Sequence, residues 1–163
     1  MLEVFCGTKS FSKVFEANGW ECTTIDNCSK FEPTICCDVM DLDFTRFEPN
    51  SFEYVHCSPP CQQFSSAHTR STRNLQEGDK LARRCIDIIS YLRPKFWTIE
   101  NPASGLLPKR GYMMNLPKKI ASYCCYGMPY RKNTFWGISR TLEKWEPLLC
   151  DKNCDAMGLN AKG

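Results

Sequence analysis

The stretch LEVFCGTKSFSKVFEANGWECTTID, residues 2–26, has the pattern of a strand, a glycine-containing turn, a helix and a second strand. An apolar run covers residues 2–5, and apolar residues between 11 and 18 follow helical spacing until Gly19 ends the helix. β-Branched residues then lead up to Asp26. Because a strand-helix-strand crossover pairs its strands in parallel, the stretch predicts an α/β protein with a parallel sheet.

Three further strands are predicted downstream, and each stops at a polar or reactive group. Their ranges and the residues that follow are 34–37 with Asp38, 54–57 with Ser58-Pro59-Pro60-Cys61, and 96–99 with Glu100-Asn101-Pro102. The carboxyl ends of parallel strands meet at one edge of a sheet, and ligands of open α/β sheets bind at that edge. The sequence therefore predicts one shared cleft lined by these groups.

The rest of the pattern completes a single domain. It predicts a polar loop at 62–78, a helix at 79–91, a Pro- and Gly-containing helical stretch at 105–116, and strands near 120–125 and 134–138. Residues 1–149 then form one catalytic unit, and residues 150–163 form a short, polar and loose tail. We expect a mostly parallel sheet with helices on both faces.

Composition narrows the class of protein. The 163 residues suit about one domain, and 42% hydrophobic with 24% charged residues is typical of globular proteins. No apolar run approaches the roughly 18 residues that cross a bilayer, so we expect no membrane partner. The net charge is only +3, from 21 basic and 18 acidic residues. A nucleic-acid partner would therefore meet a local basic patch rather than a strongly basic protein.

The twelve cysteines indicate a reduced protein. The start of the chain lacks the features of a secretory signal, so we expect an intracellular, cytoplasmic location. The pairs Cys36-Cys37 and Cys124-Cys125 fall in predicted strands, where neighbouring side chains point to opposite faces and cannot easily form a local bridge. Cys150 and Cys154 have a spacing found in zinc sites, but one short pair is not a four-ligand set, so plain surface thiols are favoured over a metal site.

The motifs and their order resemble the cytosine-5 DNA methyltransferase family. The set comprises the turn at 5–10, Asp26, Asp38, Ser58-Pro59-Pro60-Cys61-Gln62, Glu100-Asn101-Pro102 and Tyr130-Arg131-Lys132-Asn133-Thr134. The resemblance covers about residues 1–138, and the combination of Pro-Pro-Cys-Gln with Glu-Asn is its specific part. Within the family the chain is most similar to the short enzymes of large DNA viruses and phages. The resemblance implies a Rossmann-like methyltransferase fold, enzymatic activity and S-adenosylmethionine as cofactor.

The resemblance also implies a covalent mechanism on cytosine in DNA. Cytosine C5 is a poor nucleophile, so a thiolate must first add to C6, and Cys61 is the implied nucleophile. Glu100 would share a proton with N3 while accepting from the exocyclic amine. Arg131 would hold O2 and favour the thiolate by its charge. Asn133 takes a second position at which the family usually has an arginine.

Further site residues follow from the same resemblance. The residues expected to bind the cofactor are Phe5, Cys6, Gly7, Thr8, Ser10, Asp26, Asn27, Asp38, Val39, Ser58 and Pro60. A carboxylate at Asp26 suits ribose hydroxyls, and Asp38 would accept from the adenine amine. The residues expected to contact nucleic acid are Gln62, Ser65, His68, Arg70, Arg73 and Asn133, with Arg83 and Arg84 close to them in sequence. Phosphate contacts usually come from groups of this kind.

Two other functions stay open. Members of the family methylate tRNA with the same thiol and carboxylate, so a tRNA cytosine-5 methyltransferase is the nearest alternative. The other is a catalytically silent protein of this fold that binds nucleic acid or a partner, although the joint presence of Cys61, Glu100 and Arg131 argues against silence. About 25 residues follow Ile138, where most of the family has a target-recognition domain. The chain either recognises little sequence, uses a recognition subunit or a second copy, or lacks further C-terminal residues.

Overall fold

The computed structural model of the protein describes residues 1–65, 73–152 and 154. A seven-stranded sheet forms the centre of the fold. The strands are β1 (Leu2–Val4), β2 (Thr23–Asp26), β3 (Ile35–Cys36), β4 (Tyr54–Cys57), β5 (Phe96–Pro102), β6 (Lys118–Ser122) and β7 (Asn133–Ile138). The α-helices of the described residues are α1 (Ser12–Ala17), α2 (Leu75–Leu92) and α3 (Gly111–Met114). The order across the sheet is β3-β2-β1-β4-β5-β7-β6.

The direction of the strand order reverses at β1. This strand pairs in parallel with β2 on one side and with β4 on the other, and β5 continues the parallel arrangement beyond β4. Connections that leave the sheet in opposite directions from such a point open a crevice at the carboxyl edge. The expected mostly parallel sheet is confirmed, and the site residues that were predicted to follow strands β2, β3 and β4 lie around this crevice.

The strand predicted at 96–99 is longer than expected. Glu100, Asn101 and Pro102 belong to β5 and pair in antiparallel register with β7, with Glu100 opposite Trp136. The parallel pairing with β4 ends at Ile99, which is where the sequence pattern placed the strand end. The prediction was wrong because an antiparallel neighbour extends β5 beyond its parallel one. Glu100 is therefore held by a strand rather than by a loop.

Side chains of β4 alternate between the two faces of the sheet. Val55 and Cys57 are fully buried, and Cys57 contacts Cys85 of α2. His56 points to the opposite face, where its ring stacks on Phe11 beside α1 at a centroid distance of 3.6 Å. Helices therefore lie on both faces, as expected.

A buried carboxylate starts α1. Glu3 of β1 is 2% exposed, and its two oxygens accept hydrogen bonds from the amides of Phe11 and Ser12 at 3.3 and 2.8 Å. These amides belong to the group that a helix leaves without internal partners at its N-terminus, where negative charge is also favourable. The contact fixes α1 to β1 directly after the glycine turn.

Helix α2 begins at Leu75, earlier than the helix predicted from residue 79. The Asn74 side chain caps it by accepting from an amide of the first turn at 3.1 Å. Gly78, which the sequence pattern assigned to the loop, is buried inside α2, and a Cβ there would lie 2.9 Å from Cζ of Phe64. The boundary was wrong because this glycine serves close packing rather than a turn. Residues 66–72 of the predicted loop lie outside the described residues.

The C-terminal part also differs from expectation. The stretch predicted as helical at 105–116 contains only a 3-10 turn (Leu107–Lys109) and the four residues of α3. The strand predicted near 120–125 ends at Ser122, and Tyr123–Tyr126 form a 3-10 turn that Gly127 ends with a φ of +86°. Cys124 and Cys125 therefore lie in a turn and not in a strand. None of the helices in the described ranges has the length and hydropathy to span a membrane.

Candidate active site

The segment after β4 carries Cys61 in a tightly held turn. The amide of Ser58 donates to the carbonyl of Val4 at 3.1 Å, which continues the β1-β4 pairing past the strand end. The amides of Phe64 and Ser65 then donate to the Cys61 carbonyl at 2.9 and 2.8 Å. These contacts use the backbone of Cys61 and leave its thiol available for chemistry.

Asn101 anchors the same segment from β5. It is 1% exposed, and its side-chain nitrogen donates to the carbonyl of Pro59 at 2.8 Å. A buried hydrogen bond of this kind fixes the distance between β5 and the segment that leads to Cys61. The sequence motif includes Asn101, but nothing in its pattern assigned the residue this positioning role.

Cys61 and Glu100 line one cleft of about 290 Å³, which we call the thiol cleft. Its lining residues are Ser58, Pro59, Pro60, Cys61, Gln62, Glu100, Asn101, Pro102 and Lys132. The structure thus brings together the predicted nucleophile and the predicted carboxyl group. Cys61 follows β4 and Glu100 belongs to β5, and these two strands are neighbours in the sheet. The half-buried Cys61 is accessible from this cleft.

The carboxylate of Glu100 is held by two donors. Oε1 accepts from the Tyr123 hydroxyl at 3.3 Å and from the Lys132 ammonium at 3.4 Å, and the Glu100 side chain is 13% exposed. Burial, together with the nearby Glu100 charge, raises the pKa of Tyr123 to about 12, so the phenol is protonated at neutral pH and can donate. The Lys132 ammonium also lies 5.0 Å from the centre of the Tyr123 ring. Lys132 directly precedes β7 and Tyr123 begins the 3-10 turn after β6, and the sequence pattern assigned neither residue this role.

Arg131 and Asn133 lie on either side of Lys132. Arg131 is half-buried and does not line the thiol cleft, whereas Lys132 does. The Asn133 side-chain oxygen accepts from the hydroxyl of Ser122 at 2.8 Å, because the two residues are register partners in β7 and β6. Asn133 is therefore partly engaged in holding the sheet together.

A chain of hydrogen bonds runs under the thiol cleft. The imidazole of His56 contacts Thr98 through Nδ1 at 2.7 Å and Ser58 through Nε2 at 2.8 Å, and the Tyr54 hydroxyl contacts Thr98 at 2.8 Å. Burial lowers the pKa of His56 to about 3, so the ring is neutral in the folded protein. This network fixes Ser58 at the start of the segment that carries Cys61.

A second cleft, of about 420 Å³, lies across β1, β2 and β3 at the same edge of the sheet, and we call it the acidic cleft. Of the expected cofactor residues, those that line it are Phe5, Asp26, Asn27, Asp38, Val39, Ser58 and Pro60. The sequence missed four lining residues, namely Ile25, Cys37, Glu77 and Leu81. The last two come from α2, whose early start could not be read from the pattern.

The other expected cofactor residues, Cys6, Gly7, Thr8 and Ser10, belong to the turn beside this cleft. The backbone of this turn is unusual, because Phe5, Gly7 and Lys9 have φ values of +60°, +46° and +59°. Left-handed backbone at two non-glycine residues is uncommon and is often found at ligand sites. The turn is held against β2, because the Cys6 amide donates to the Ile25 carbonyl at 3.1 Å. The Cys6 side chain is buried.

Asp26 ties this turn to β2. One of its carboxylate oxygens accepts from the Gly7 amide and the other from the Cys28 amide, both at 2.9 Å. A carboxylate offers about four lone-pair positions, so each oxygen retains capacity for a ligand hydroxyl. Burial, followed by the charges of Asp26 and Glu3, raises the pKa of Cys6 to about 11, which keeps this cysteine a neutral thiol.

The arginines near the polar loop have mainly structural contacts. Arg73 donates to the Ser65 carbonyl at 2.7 Å, and Arg83 lies over the ring of Tyr112 at 4.3 Å. Arg84 donates to the carbonyls of residues 39, 40 and 42, so it holds the wall of the acidic cleft. The basic cluster expected to bind nucleic acid therefore contains fewer available arginines than predicted, since Arg83 and Arg84 make contacts within the protein. Gln62 is exposed beside Cys61, while His68 and Arg70 lie outside the described residues.

The sheet order, the antiparallel β7 and the two clefts at the carboxyl edge define the Rossmann-like fold of S-adenosylmethionine-dependent methyltransferases. A family model described as C-5 cytosine-specific DNA methylase matches residues 1–122, and the chain belongs to this family. The predicted family, its fold and its enzyme class, DNA (cytosine-5)-methyltransferase, are thereby confirmed.

A viral protein and a protein of known structure are among those similar to the chain. A protein of Frog virus 3 (isolate Goorha), described as a probable DNA (cytosine-5)-methyltransferase, is 31% identical over 98% of this chain and 79% of its own length. A crystal structure from E. coli, described as a "putative DNA modification methyltransferase encoded within prophage", matches 92% of the chain with a TM-score of 0.65 and 18% identity. The chain spans 51% of that solved protein, and identity at this level supports the fold alone.

Proposed function

We propose that this protein transfers a methyl group from S-adenosylmethionine to C5 of cytosine in DNA, through a covalent bond between Cys61 and C6. One observation carries the proposal: Ser58 and Pro60 line both the thiol cleft and the acidic cleft, so the two are adjacent. A cofactor in one cleft and a cytosine in the other would meet at this junction. Family membership and the viral relative support DNA as the substrate.

The acidic cleft fits the cofactor. Its volume of about 420 Å³ lies within the usual range for small-molecule sites. Asp26 has lone pairs left for ribose hydroxyls, and Asp38, whose Oδ1 accepts from the Met40 amide at 2.8 Å, has a second oxygen for the adenine amine. When bound there, S-adenosylmethionine would supply an electrophilic methyl carbon. The left-handed turn at Phe5, Gly7 and Lys9 would enclose its methionine part.

The residues of the thiol cleft would then carry the chemistry on the base. Cys61 attacks as the thiolate and forms a bond from Sγ to C6, and Glu100, protonated when the base binds, delivers that proton to N3 as negative charge develops on the ring. C5 gains nucleophilic character and would take the methyl group, which the bound cofactor would release by becoming a neutral thioether. The proton on C5 is then lost to a base, N3 returns its proton to Glu100, the bond between Cys61 and C6 breaks to release the thiolate, and the ring regains its aromaticity.

The two hydrogen-bond donors to Glu100 and the neighbouring Arg131 are assigned separate roles. Lys132 and Tyr123 orient the Glu100 carboxyl group through the contacts described above. Arg131, which directly precedes Lys132 in the chain, is proposed to contact O2 of the cytosine. The residues Gln62, Ser65, Arg73 and Asn133, with His68 and Arg70, are proposed to contact the DNA around the base. The twelve unpaired thiols favour a reducing, intracellular setting for the reaction.

The direct test is a methyl-transfer assay with labelled cofactor on duplex DNA, on tRNA and without nucleic acid. We expect incorporation into DNA, and loss of that incorporation in Cys61→Ser with cofactor binding retained, because the backbone contacts of Cys61 do not involve its side chain. Cys36→Ser, at an exposed cysteine outside the thiol cleft, is the matched control. Preferred incorporation into tRNA would select the RNA alternative, and no incorporation into either would select a silent protein.

Covalent trapping tests the mechanism separately. DNA that contains 5-fluorocytosine should form a stable adduct with the wild-type protein and cofactor, because fluorine at C5 cannot leave as a proton. The adduct should be absent in Cys61→Ser and present in Cys36→Ser. An enzyme that methylates DNA but forms no adduct would contradict the role of Cys61.

A further inference from the structure

Cys124 meets the pair Cys150 and Cys154, which lies more distant along the sequence, beside the end of β6. The sulfur atoms of Cys124, Cys150 and Cys154 all lie within 4.8 Å of one another, and the sulfurs of Cys150 and Cys154 are 3.2 Å apart. All three are free thiols that are half-buried. The sequence pattern could indicate only the Cys150 and Cys154 pair, because Cys124 was predicted to lie in a strand.

The spacing of these sulfurs fits a tetrahedral metal ion. Zinc binds thiolate sulfur at about 2.3 Å, so two thiolates of one tetrahedral site lie about 3.8 Å apart. The separation of 3.2 Å between the sulfurs of Cys150 and Cys154 is below this value, and all three sulfurs lie within 4.8 Å of one another, so small side-chain rotations would bring them to it. Soft thiolate ligands favour zinc over magnesium or calcium.

The backbone at Cys150 is held against the part of the fold that carries Cys124. The Cys150 amide donates to the hydroxyl of Ser122 at 3.0 Å, and the Ser122 amide donates to the Leu148 carbonyl at 3.0 Å. The Leu148 amide in turn donates to the Tyr126 hydroxyl at 2.8 Å. These contacts fix residues 148–150 against β6 and against the 3-10 turn that contains Cys124. The start of the predicted loose tail is therefore attached to the sheet.

A further contact is typical of metal-bound sulfur. The Lys152 amide donates to Sγ of Cys150 at 3.3 Å. Backbone amides commonly donate to coordinating thiolates and orient them around the ion. Cys125, the neighbour of Cys124, is not a member of the three-sulfur group.

We propose that Cys124, Cys150 and Cys154 bind one zinc ion as thiolates, with a solvent molecule in the fourth position. Binding releases the three thiol protons to solvent, and no electron transfer is involved. The ion would link the C-terminal segment to the 3-10 turn at Tyr123–Tyr126. Since Tyr123 donates to Glu100 from the same turn, the ion would also stabilise one wall of the thiol cleft.

Metal content tests the proposal without reference to activity. Full-length protein purified under reducing conditions with zinc should retain about one zinc per chain after dialysis, as measured by mass spectrometry of the metal. Cys124→Ser, Cys150→Ser and Cys154→Ser should each lower the retained zinc, and Cys125→Ser should not. Cobalt in place of zinc should give thiolate-to-cobalt charge-transfer absorption in the wild type and in Cys125→Ser.

A second measurement covers variants that fail to fold. Removal of metal from the wild type with a chelator should lower its thermal unfolding midpoint, and added zinc should restore it. A protein that retains no zinc would overturn the proposal, as would equal loss of zinc in Cys125→Ser. So would a disulfide between Cys150 and Cys154 detected by mass spectrometry in the protein purified under reducing conditions.

Discussion

In the proposed mechanism the Glu100 carboxyl group shares a proton with N3 while it accepts a hydrogen bond from the exocyclic amine, and its neighbours allow a sharp test. We expect Glu100→Gln to lower methyl transfer by about two orders of magnitude or more, the scale of general acid catalysis, because the amide cannot share a proton with N3. The amide oxygen can still accept from Tyr123, so the fold and cofactor binding should persist. Single-turnover methyl transfer on duplex DNA measures the effect.

Tyr123→Phe is the matched comparison for Glu100→Gln. It removes one donor to the Glu100 carboxylate but leaves the carboxyl group, so we expect a loss of about tenfold or less, the size of one hydrogen bond. Near-normal turnover in Glu100→Gln would remove Glu100 from the mechanism. A loss in Tyr123→Phe as large as that in Glu100→Gln would instead mean that Tyr123 takes part in the proton transfer.

His56 should make the stability of the protein depend on pH. Burial depresses its pKa from 6.5 to about 3, so below pH 6.5 the unfolded chain binds a proton that the folded protein does not. The stability contributed above pH 6.5 is therefore lost as the pH falls toward 3. From pH 7.5 to pH 5 this amounts to about 2 kcal/mol for an isolated group.

Denaturant unfolding of the wild type and of His56→Gln at several pH values tests this dependence. Glutamine does not titrate, so the difference in unfolding free energy between the two proteins should shrink as the pH falls from 7.5 to 5. The nearest charged side chain in register on β1 is Glu3, whose carboxylate is engaged with the α1 amides. A difference that is constant over this range would show that His56 does not remain neutral in the folded state.

Whether a single site residue could be predicted from the sequence depended on its position relative to the strands of the sheet. Asp26, Asp38, Ser58 and Pro60 could be proposed from sequence because each lies at or just after the carboxyl end of a strand, and the structure has them lining the acidic cleft. Lys132 could not, because its approach to Glu100 depends on the antiparallel pairing of β7 with β5. Contacts made across a sheet by a distant segment leave no periodic signal in the chain.

At the level of elements, the close packing of α2 against the Cys61 turn requires a glycine at position 78. We expect Gly78→Ala to destabilise the fold by about 1–3 kcal/mol, because a Cβ would lie 2.9 Å from Cζ of the fully buried Phe64. Phe64 belongs to the turn that begins at Cys61, so methyl transfer should fall as well. Urea unfolding and the methyl-transfer assay measure the two effects.

Gly111→Ala is the matched control for Gly78→Ala. Gly111 starts α3, and a Cβ there would have no atom within 4 Å, so the change should be neutral or slightly stabilising. Equal stability of the two variants would mean that the Cys61 turn yields to the extra methyl group, and that α2 does not position it.

Element boundaries were predictable only where local pattern alone sets them. β4 and the β1-α1-β2 crossover agree with the sequence pattern because apolar spacing and Gly19 define them locally. The start of α2 and the end of β5 depend on Asn74 as a cap and on pairing with β7. Tertiary contacts extended both elements beyond the residues that the pattern favoured.

For the whole molecule, the net charge and the surface available for base contacts determine the expected affinity and specificity for DNA. The net charge of +3 gives little long-range attraction, and the arginines of α2 are engaged within the fold. We therefore expect weak binding of duplex DNA that falls steeply with salt, because phosphate contacts release counterions. Titration at several salt concentrations measures this slope, and binding that does not change with salt would contradict a phosphate-based interface.

The same reasoning predicts a relaxed target sequence for these 163 residues tested alone. Each good contact to a base edge contributes about 1–3 kcal/mol of discrimination, and phosphate contacts carry no direct sequence information. Methylated cytosines on random DNA should therefore share a context of no more than about four bases.

Sequencing that maps methylation on random DNA decides between two sources of recognition. A long, strictly required motif produced by this chain alone would show that its loops read bases in the groove. If such a motif appears only when a second protein is added, recognition belongs to that partner, and the chain supplies the chemistry. A base must in either case leave the duplex to reach Cys61 in the thiol cleft, so mispaired cytosines should react faster than paired ones.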